Sequence, residues 1–278
     1  MNVGIVGLGL IGGSMARSIK SRTDHCVWGI DINQESMELA RLCGAIDAPL
    51  TPERLPTCDL LLLALRPGIA VEWLTENGAS LSGECTGVDL CGVKRQVVSS
   101  LSALARTHGF TYIGGHPMAG RERGGFTSSR EDLYQGASMI LTPGSGPDIA
   151  LLEQLKSFFL DLGFARVVFT TPEVHDRIIA YTSQLAHITS SAYVRSPTAL
   201  ERRGFSAGSF RDMTRVARLD EDMWTELCLQ DADYLAQELR GLIDRLEEYR
   251  DALEQGDAER LRALFRDGRE KKAAAGGN

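Results

Sequence analysis

Three side chains in this 278-residue chain have types and settings suited to chemistry on a small molecule: His116, His187 and Arg215. His116 stands in Gly114-Gly115-His116-Pro117-Met118-Ala119-Gly120, directly after a strand predicted over residues 110–113. Flanking glycines let a backbone turn tightly and approach a ligand, and Pro117 fixes one dihedral, so the imidazole is aimed. A histidine so held is a base, a metal ligand or a packing residue, and the stretch alone does not choose among them. No H-E-x-x-H, no Cys/His spacing and no dense carboxylate cluster accompanies it, so no catalytic metal is expected. With a reference pKa of about 6.5, a histidine is largely neutral at cellular pH and suits general-base removal of a proton from a hydroxyl. Arg211, Arg215 and Arg218, spaced by four and three, are predicted to share a helix face after the glycine-rich break at residues 204–210. There they form either a solvated basic stripe or a site where a guanidinium grips a carboxylate in a bidentate fork. His187 lies on a predicted helix with His175, Tyr181 and Ser183, and is either a pocket residue or a half-buried packing histidine.

The elements that must position these groups begin at residue 2. A β-branched run over residues 2–6 leads into Gly7-Leu8-Gly9-Leu10-Ile11-Gly12 and then a helical pattern carrying Met15, Ala16 and Ile19. In a strand, glycine turn and helix of this kind, Gly7 makes the turn and Gly9 admits a pyrophosphate. Gly12 lets helix and strand pack closely, and the helix N-terminus binds the anion. A second strand over residues 26–30 ends at Asp31, 19 residues after Gly12. A carboxylate there accepts hydrogen bonds from ribose hydroxyls and repels a 2′-phosphate, which selects NAD over NADP; the plainer reading is that Asp31 opens a turn before Asn33, the N-cap of a helix over residues 34–42. The apolar run at residues 60–65 reads as a strand covered on both faces, and its end, Leu65-Arg66, lies where a dinucleotide passes.

Further strands are predicted at 88–90, 137–141 and 167–170, with a helix from Lys94 to about Arg106 and another ending at Gly163. From Pro172 onward the pattern is entirely helical. The expectation is an α/β Rossmann-type domain over residues 1–171 followed by an all-α domain over 172–278. In the second, Leu235, Leu239, Leu242, Leu246, Tyr249 and Leu253 alternate steps of four and three along a helix read over 229–253, a seam suited to pairing with a second copy. A formal charge of −7 gives no electrostatic reason to expect a nucleic-acid partner. The six cysteines form no C-x-x-C pair, as in a reduced, cytoplasmic chain, and neither a leader nor a membrane span is expected from the apolar runs.

Taken together, the ordered motifs Gly7-Leu8-Gly9-Leu10-Ile11-Gly12-Gly13-Ser14, Asp89-Leu90-Cys91-Gly92-Val93-Lys94, His116-Pro117-Met118-Ala119-Gly120-Arg121-Glu122, Ser183-Gln184-Leu185-Ala186-His187 and Phe210-Arg211-Asp212-Met213-Thr214-Arg215 resemble those of the prephenate/arogenate dehydrogenases of tyrosine biosynthesis. The resemblance spans nearly the whole chain. It implies a Rossmann domain, a helical dimerisation domain and an active site between them that works with NAD. It also implies roles: His116 as base on the substrate's ring hydroxyl, Arg215 on a carboxylate, His187 in the substrate pocket, Glu122 as an acid pairing with the arginine at the entrance, and Trp224 beside the pocket. Two positions depart from the pattern. Gly92 stands where many members carry a serine that bonds the histidine or the substrate, so another group must substitute, and Gln184 and Ala186 stand where histidine and proline are common. No chorismate mutase segment or separate regulatory domain is expected within this length. Prephenate and arogenate remain open as substrates, as does a non-catalytic NAD-binding regulatory dimer.

Overall fold

The computed structural model describes residues 1–121, 123–144 and 148–276. Eight strands form one sheet: β1 (Asn2–Val6), β2 (Cys26–Ile30), β3 (Ala48–Pro49), β4 (Leu60–Leu63), β5 (Thr86–Asp89), β6 (Thr111–Pro117), β7 (Ser138–Thr142) and β8 (Arg166–Phe169). Their spatial order is β3-β2-β1-β4-β5-β6-β7-β8. The chain leaves β1 toward β2 and β3 and then returns to β4 on the other side of β1, which creates the crevice where doubly wound sheets bind ligands. All neighbours are parallel except β6 and β7.

The helices of the first half are α1 (Leu10–Arg22), α2 (Gln34–Leu42), α3 (Pro67–Asn77), α4 (Arg95–His108) and α5 (Ile149–Asp161). They cover both faces of the sheet, and β4 shows why its sequence is continuously apolar. Leu60 and Leu62 join Met15, Ile19, Leu155 and Phe158 on one face, whereas Leu61 and Leu63 join Leu74, Val97 and Leu101 on the other. Asn33 caps α2 as its type predicts, its side chain accepting the Ser36 N–H.

Beyond β8 the chain is helical: α6 (Pro172–Ile179), a π turn over Ala180–Gln184, α7 (Leu185–Val194), α8 (Gly208–Thr214), α9 (Glu221–Gln230), α10 (Ala232–Glu254) and α11 (Ala258–Ala275). Two expectations need correction. The helix read over residues 229–253 is interrupted at Asp231, whose buried carboxyl turns to accept from Arg95, so α9 and α10 are separate. The arginine stripe does not sit on one helix face either, because α8 ends at Thr214, Arg215 opens a short 3-10 turn and Arg218 is extended.

Candidate active site

At the nucleotide edge, Gly7 has a φ of 89°, and a Cβ there would lie 2.5 Å from the Ala64 carbonyl oxygen. A Cβ on Gly12 would lie 1.8 Å from the Gly7 carbonyl oxygen. These two glycines therefore bind the turn after β1 to the turn after β4. Gly9 is different: a Cβ there would meet nothing within 4 Å. Gly9 is also the residue before α1, which has no side-chain cap and no acidic residue in its first turn. The orphan N–H groups at Leu10 and Ile11 thus open onto free space at a positive helix end, which fits a pyrophosphate. Asp31 follows β2 directly, its carboxylate accepting the Leu8 N–H at 2.7 Å and the Asn33 N–H at 2.8 Å. It holds the glycine turn and opens its own turn, and each oxygen keeps a lone pair directed away from those bonds. Leu65 lies against Gly7, and Arg66 is the residue before α3. The Gly68 N–H in the first turn of α3 donates to Glu226 of α9 at 2.7 Å, so the helical half reaches over this edge.

His116 is not in a turn after a strand but near the end of β6, which runs on to Pro117 because β7 pairs with it antiparallel and sets Ile140 opposite His116. The glycines before it serve packing rather than turning. A Cβ on Gly114 would be 2.3 Å from Thr142 Oγ1, and one on Gly115 would be 2.6 Å from the Asp89 carbonyl oxygen. Beneath the strand lies a buried polar knot. The Asp89 carboxylate accepts from Tyr112 Oη at 2.6 Å, from the Gly115 N–H at 3.2 Å and from the Cys91 N–H at 3.0 Å, and it pairs with the buried Lys94 ammonium. The Asp89 to Lys94 motif is thus the floor on which His116 stands.

His116 Nδ1 lies 2.8 Å from His175 Nε2, and His175 Nδ1 lies 2.7 Å from Asp176 Oδ1. The Asp176 carboxylate also accepts the backbone N–H groups of Lys94 and Arg95, each at 2.8 Å, and so caps α4 from the other half of the chain. Burial, then the neighbouring His175 and Lys94, holds the His116 pKa well below the ordinary histidine value. Burial also lowers that of His175, against the pull of Asp176. Burial acts to raise Asp176, but hydrogen bonds from His175 and the α4 backbone keep it below the usual carboxylate value. His116 is therefore a neutral imidazole with Nδ1 occupied and Nε2 left for a ligand, as a general base requires.

A second group of residues lies farther along the helical half. The His187 ring packs on Trp224 with centroids 3.9 Å apart, and its Nδ1 lies 2.9 Å from the Ser183 carbonyl oxygen inside the π turn. The wider π turn is a common device where a helix must present groups to a site. Burial, opposed by the hydrogen bond to the Ser183 carbonyl and aided by the positive charge of Arg215, lowers the His187 pKa, and the short turn that Arg215 opens packs against α7. His187, Trp224 and Arg215 are thus brought together, while the direct partner of His116 is His175. Glu122 lies outside the described residues. Gly92 has room: a Cβ there would only touch Leu227 of α9, at 3.5 Å. Sequence reasoning noted His175 merely as a helix residue and passed over Asp176. The adjacent His-Asp pair at the start of a helix whose other histidine was already a candidate is the signal that would have found them.

Sheet crevice, open helix end and half-buried histidine together describe a dinucleotide-binding α/β domain that meets a helical domain at a histidine pair. Residues 15–169 match the family described as prephenate dehydrogenase, nucleotide-binding domain, and residues 171–267 match prephenate dehydrogenase, dimerization domain. A prephenate dehydrogenase of Bacillus subtilis is 31% identical over 94% of this chain and 72% of its own length. The structure of an Aquifex aeolicus prephenate dehydrogenase in complex with hydroxyphenyl propionate and NAD+ superposes with a TM-score of 0.85 at 28% identity, covering 99% of this chain and 98% of that one. A Synechocystis arogenate dehydrogenase superposes with a TM-score of 0.82 at 25% identity, covering 99% and 100%. The chain belongs to the prephenate dehydrogenase family.

Proposed function

We propose that this protein is an NAD-dependent prephenate dehydrogenase, converting prephenate to 4-hydroxyphenylpyruvate and CO2, with His116 as the base. The observation that carries the reading is the neutral, half-buried His116 with Nδ1 engaged by His175 and Nε2 left for substrate. NAD+, when bound, supplies the acceptor for the hydride from C4. The residues that would hold it are Gly7, Leu8, Gly9, Leu10, Ile11 and Gly12 at the α1 end, Asp31 at the ribose, and Leu65 and Arg66 across the crevice. His116 takes the ring hydroxyl proton as the C4 hydride departs. The bond to the ring carboxylate then breaks to release CO2, its electron pair completes the aromatic ring, and the phenolate oxygen takes the proton back from His116. The thermodynamic drive lies in the substrate, so the protein's task is to orient it and to accept one proton.

Arg215 binds a substrate carboxylate, with His187 and Trp224 forming the wall beside it. The helical half makes a homodimer, a reading supported by Leu246, Leu253 and Phe265, which are 56%, 65% and 66% exposed on α10 and α11 of the single chain. The division of the chain falls near residue 171, since β8 ends at Phe169 and α6 begins at Pro172. All six cysteines are free thiols, which supports a reducing, cytoplasmic setting, and no helix among the described residues is long and apolar enough to cross a membrane.

Purified protein mixed with NAD+ and prephenate should form NADH, followed by absorbance, while arogenate in a parallel cuvette measures the preference between the two substrates. NADH with arogenate alone would move the assignment to that substrate, and NADH with neither would favour the non-catalytic dimer.

A further inference from the structure

Asp176 accepts four hydrogen bonds: Oδ1 takes the Lys94 N–H and the His175 ring, and Oδ2 takes the Arg95 N–H and Arg95 Nε at 3.3 Å. Arg95 is itself anchored by Asp231 and Asp233 at the start of α10. The carboxylate is thus immobile and acceptor-only, and this decides where the protons lie on the two rings beyond it. An ionised carboxylate cannot donate, so His175 Nδ1 carries a hydrogen. His175 is 2% exposed, and a neutral ring with a proton on Nδ1 has only a lone pair on Nε2. His116 Nδ1, 2.8 Å away, must then be the donor, which leaves the His116 lone pair on Nε2.

We propose that His175 is a positioning residue for the base. Through Asp176 it locks His116 in the tautomer with the proton on Nδ1, so a helix of the second domain sets the competence of a base carried by the sheet. The proposal rests on the reading of His116 as the base. It also names the group that steadies His116 in a chain where Gly92 offers no side chain for the task.

The geometry has a pH consequence. Protonation of His175 turns its Nε2 into a donor, so His116 must accept at Nδ1 and hold its own hydrogen on Nε2, where it no longer serves as a base. Among the described residues, the charged and titratable groups facing His175 are Asp176 on its own helix, Lys94 just before α4, Arg95 at its start, Asp89 on β5 and His116 on β6. Asp176 and Asp89 favour the protonated ring, whereas burial and Lys94 oppose it, and burial is the largest effect.

The test compares His175→Leu, which removes the acceptor, with His175→Gln, whose amide oxygen can stand where Nε2 stands and accept from His116. His175→Leu should lower kcat roughly 10- to 100-fold, a loss smaller than or equal to that of deleting a general base. KM and NAD affinity should stay within about twofold, and the acid limb of the pH profile should move, because the proton that flips the tautomer is gone. His175→Gln should recover about tenfold in kcat over His175→Leu; equal losses in both would reduce the role to packing and overturn the proposal. A second readout does not depend on turnover. In two-bond 1H–15N spectra of the wild-type protein labelled at histidine, the His116 signals, assigned by their loss in His116→Asn, should show the Nδ1-protonated form. The other tautomer in the wild type, or an unaltered one in His175→Leu, would overturn the proposal even if that variant turned over slowly. If His116→Asn retained full turnover, the base reading would fall, while the spectrum would still decide the tautomer lock separately.

Discussion

Replacing Gly9 and Gly12 one at a time by alanine should separate binding from folding within a single turn. Gly9 has φ −75° and ψ −153°, a conformation open to alanine, and its added Cβ would meet nothing within 4 Å. Gly9→Ala should therefore change stability by no more than about 0.5 to 1 kcal/mol, with any gain coming from the less flexible unfolded chain. The same methyl group fills the space over the α1 N-terminus that the pyrophosphate must enter. An overpacking cost of about 1 to 3 kcal/mol at that contact corresponds to roughly 5- to 150-fold in Kd for NAD. Gly12→Ala puts a methyl 1.8 Å from the Gly7 carbonyl oxygen and 2.8 Å from Ala64 Cβ, where no flexible side-chain end can yield. The start of α1 must then move away from β1 and β4. A penalty near the top of the overpacking range, about 3 kcal/mol, should lower the melting temperature by roughly 6 to 12 °C. Thermal unfolding of the free protein and calorimetric titration with NAD measure the two quantities separately. Wild-type NAD affinity in Gly9→Ala, or a wild-type melting temperature in Gly12→Ala, would refute the reasoning.

Arg215→Ala should raise KM for prephenate by about tenfold or more, because a carboxylate would enter the pocket uncompensated. Unchanged kinetics would return the arginine to the solvated surface. Stability should fall with acid: the pKa values of His116, His175 and His187 are all lowered on folding, so the unfolded chain binds more protons as the pH drops below about 6.5. Each buried histidine that stays neutral adds a slope approaching about 1.4 kcal/mol per pH unit, checked by denaturant unfolding at pH 5 and pH 7.5. Asp231 acts in the opposite sense. Burial pushes its carboxyl up to about 7, so the folded chain loses stability as pH rises from its unfolded value toward 7, and Asp231→Asn should steepen the acid loss while adding stability at pH 8.

The parts of the fold legible in the sequence are those governed by local pattern. β1 and β2 begin and end at the residues predicted for them, α2 starts after its capping asparagine, and the glycine turn has the spacing its backbone contacts require. What the pattern could not carry depended on partners distant in the chain. β6 extends through His116 only because β7 lies beside it, and that pairing reassigns Gly114 and Gly115 from turning to close packing. The break at Asp231 has no helix-breaking residue behind it; the buried carboxyl is drawn to Arg95, which lies 136 positions earlier. The arginine spacing suited a helix face, yet the helix ends before Arg215. At the site, His116 is visible from its setting, whereas its partner offers only the adjacent His175-Asp176 pair as a local signal, and its role emerges only where α6 docks on the N-terminus of α4.

The most direct measurement is the turnover of His116→Asn with saturating NAD+ and prephenate, alongside its melting temperature and NAD affinity. A loss of roughly 10²- to 10⁴-fold in kcat, with folding and cofactor binding intact, is the expected result. Turnover within about twofold of the wild-type protein would contradict the assignment of His116 as the base.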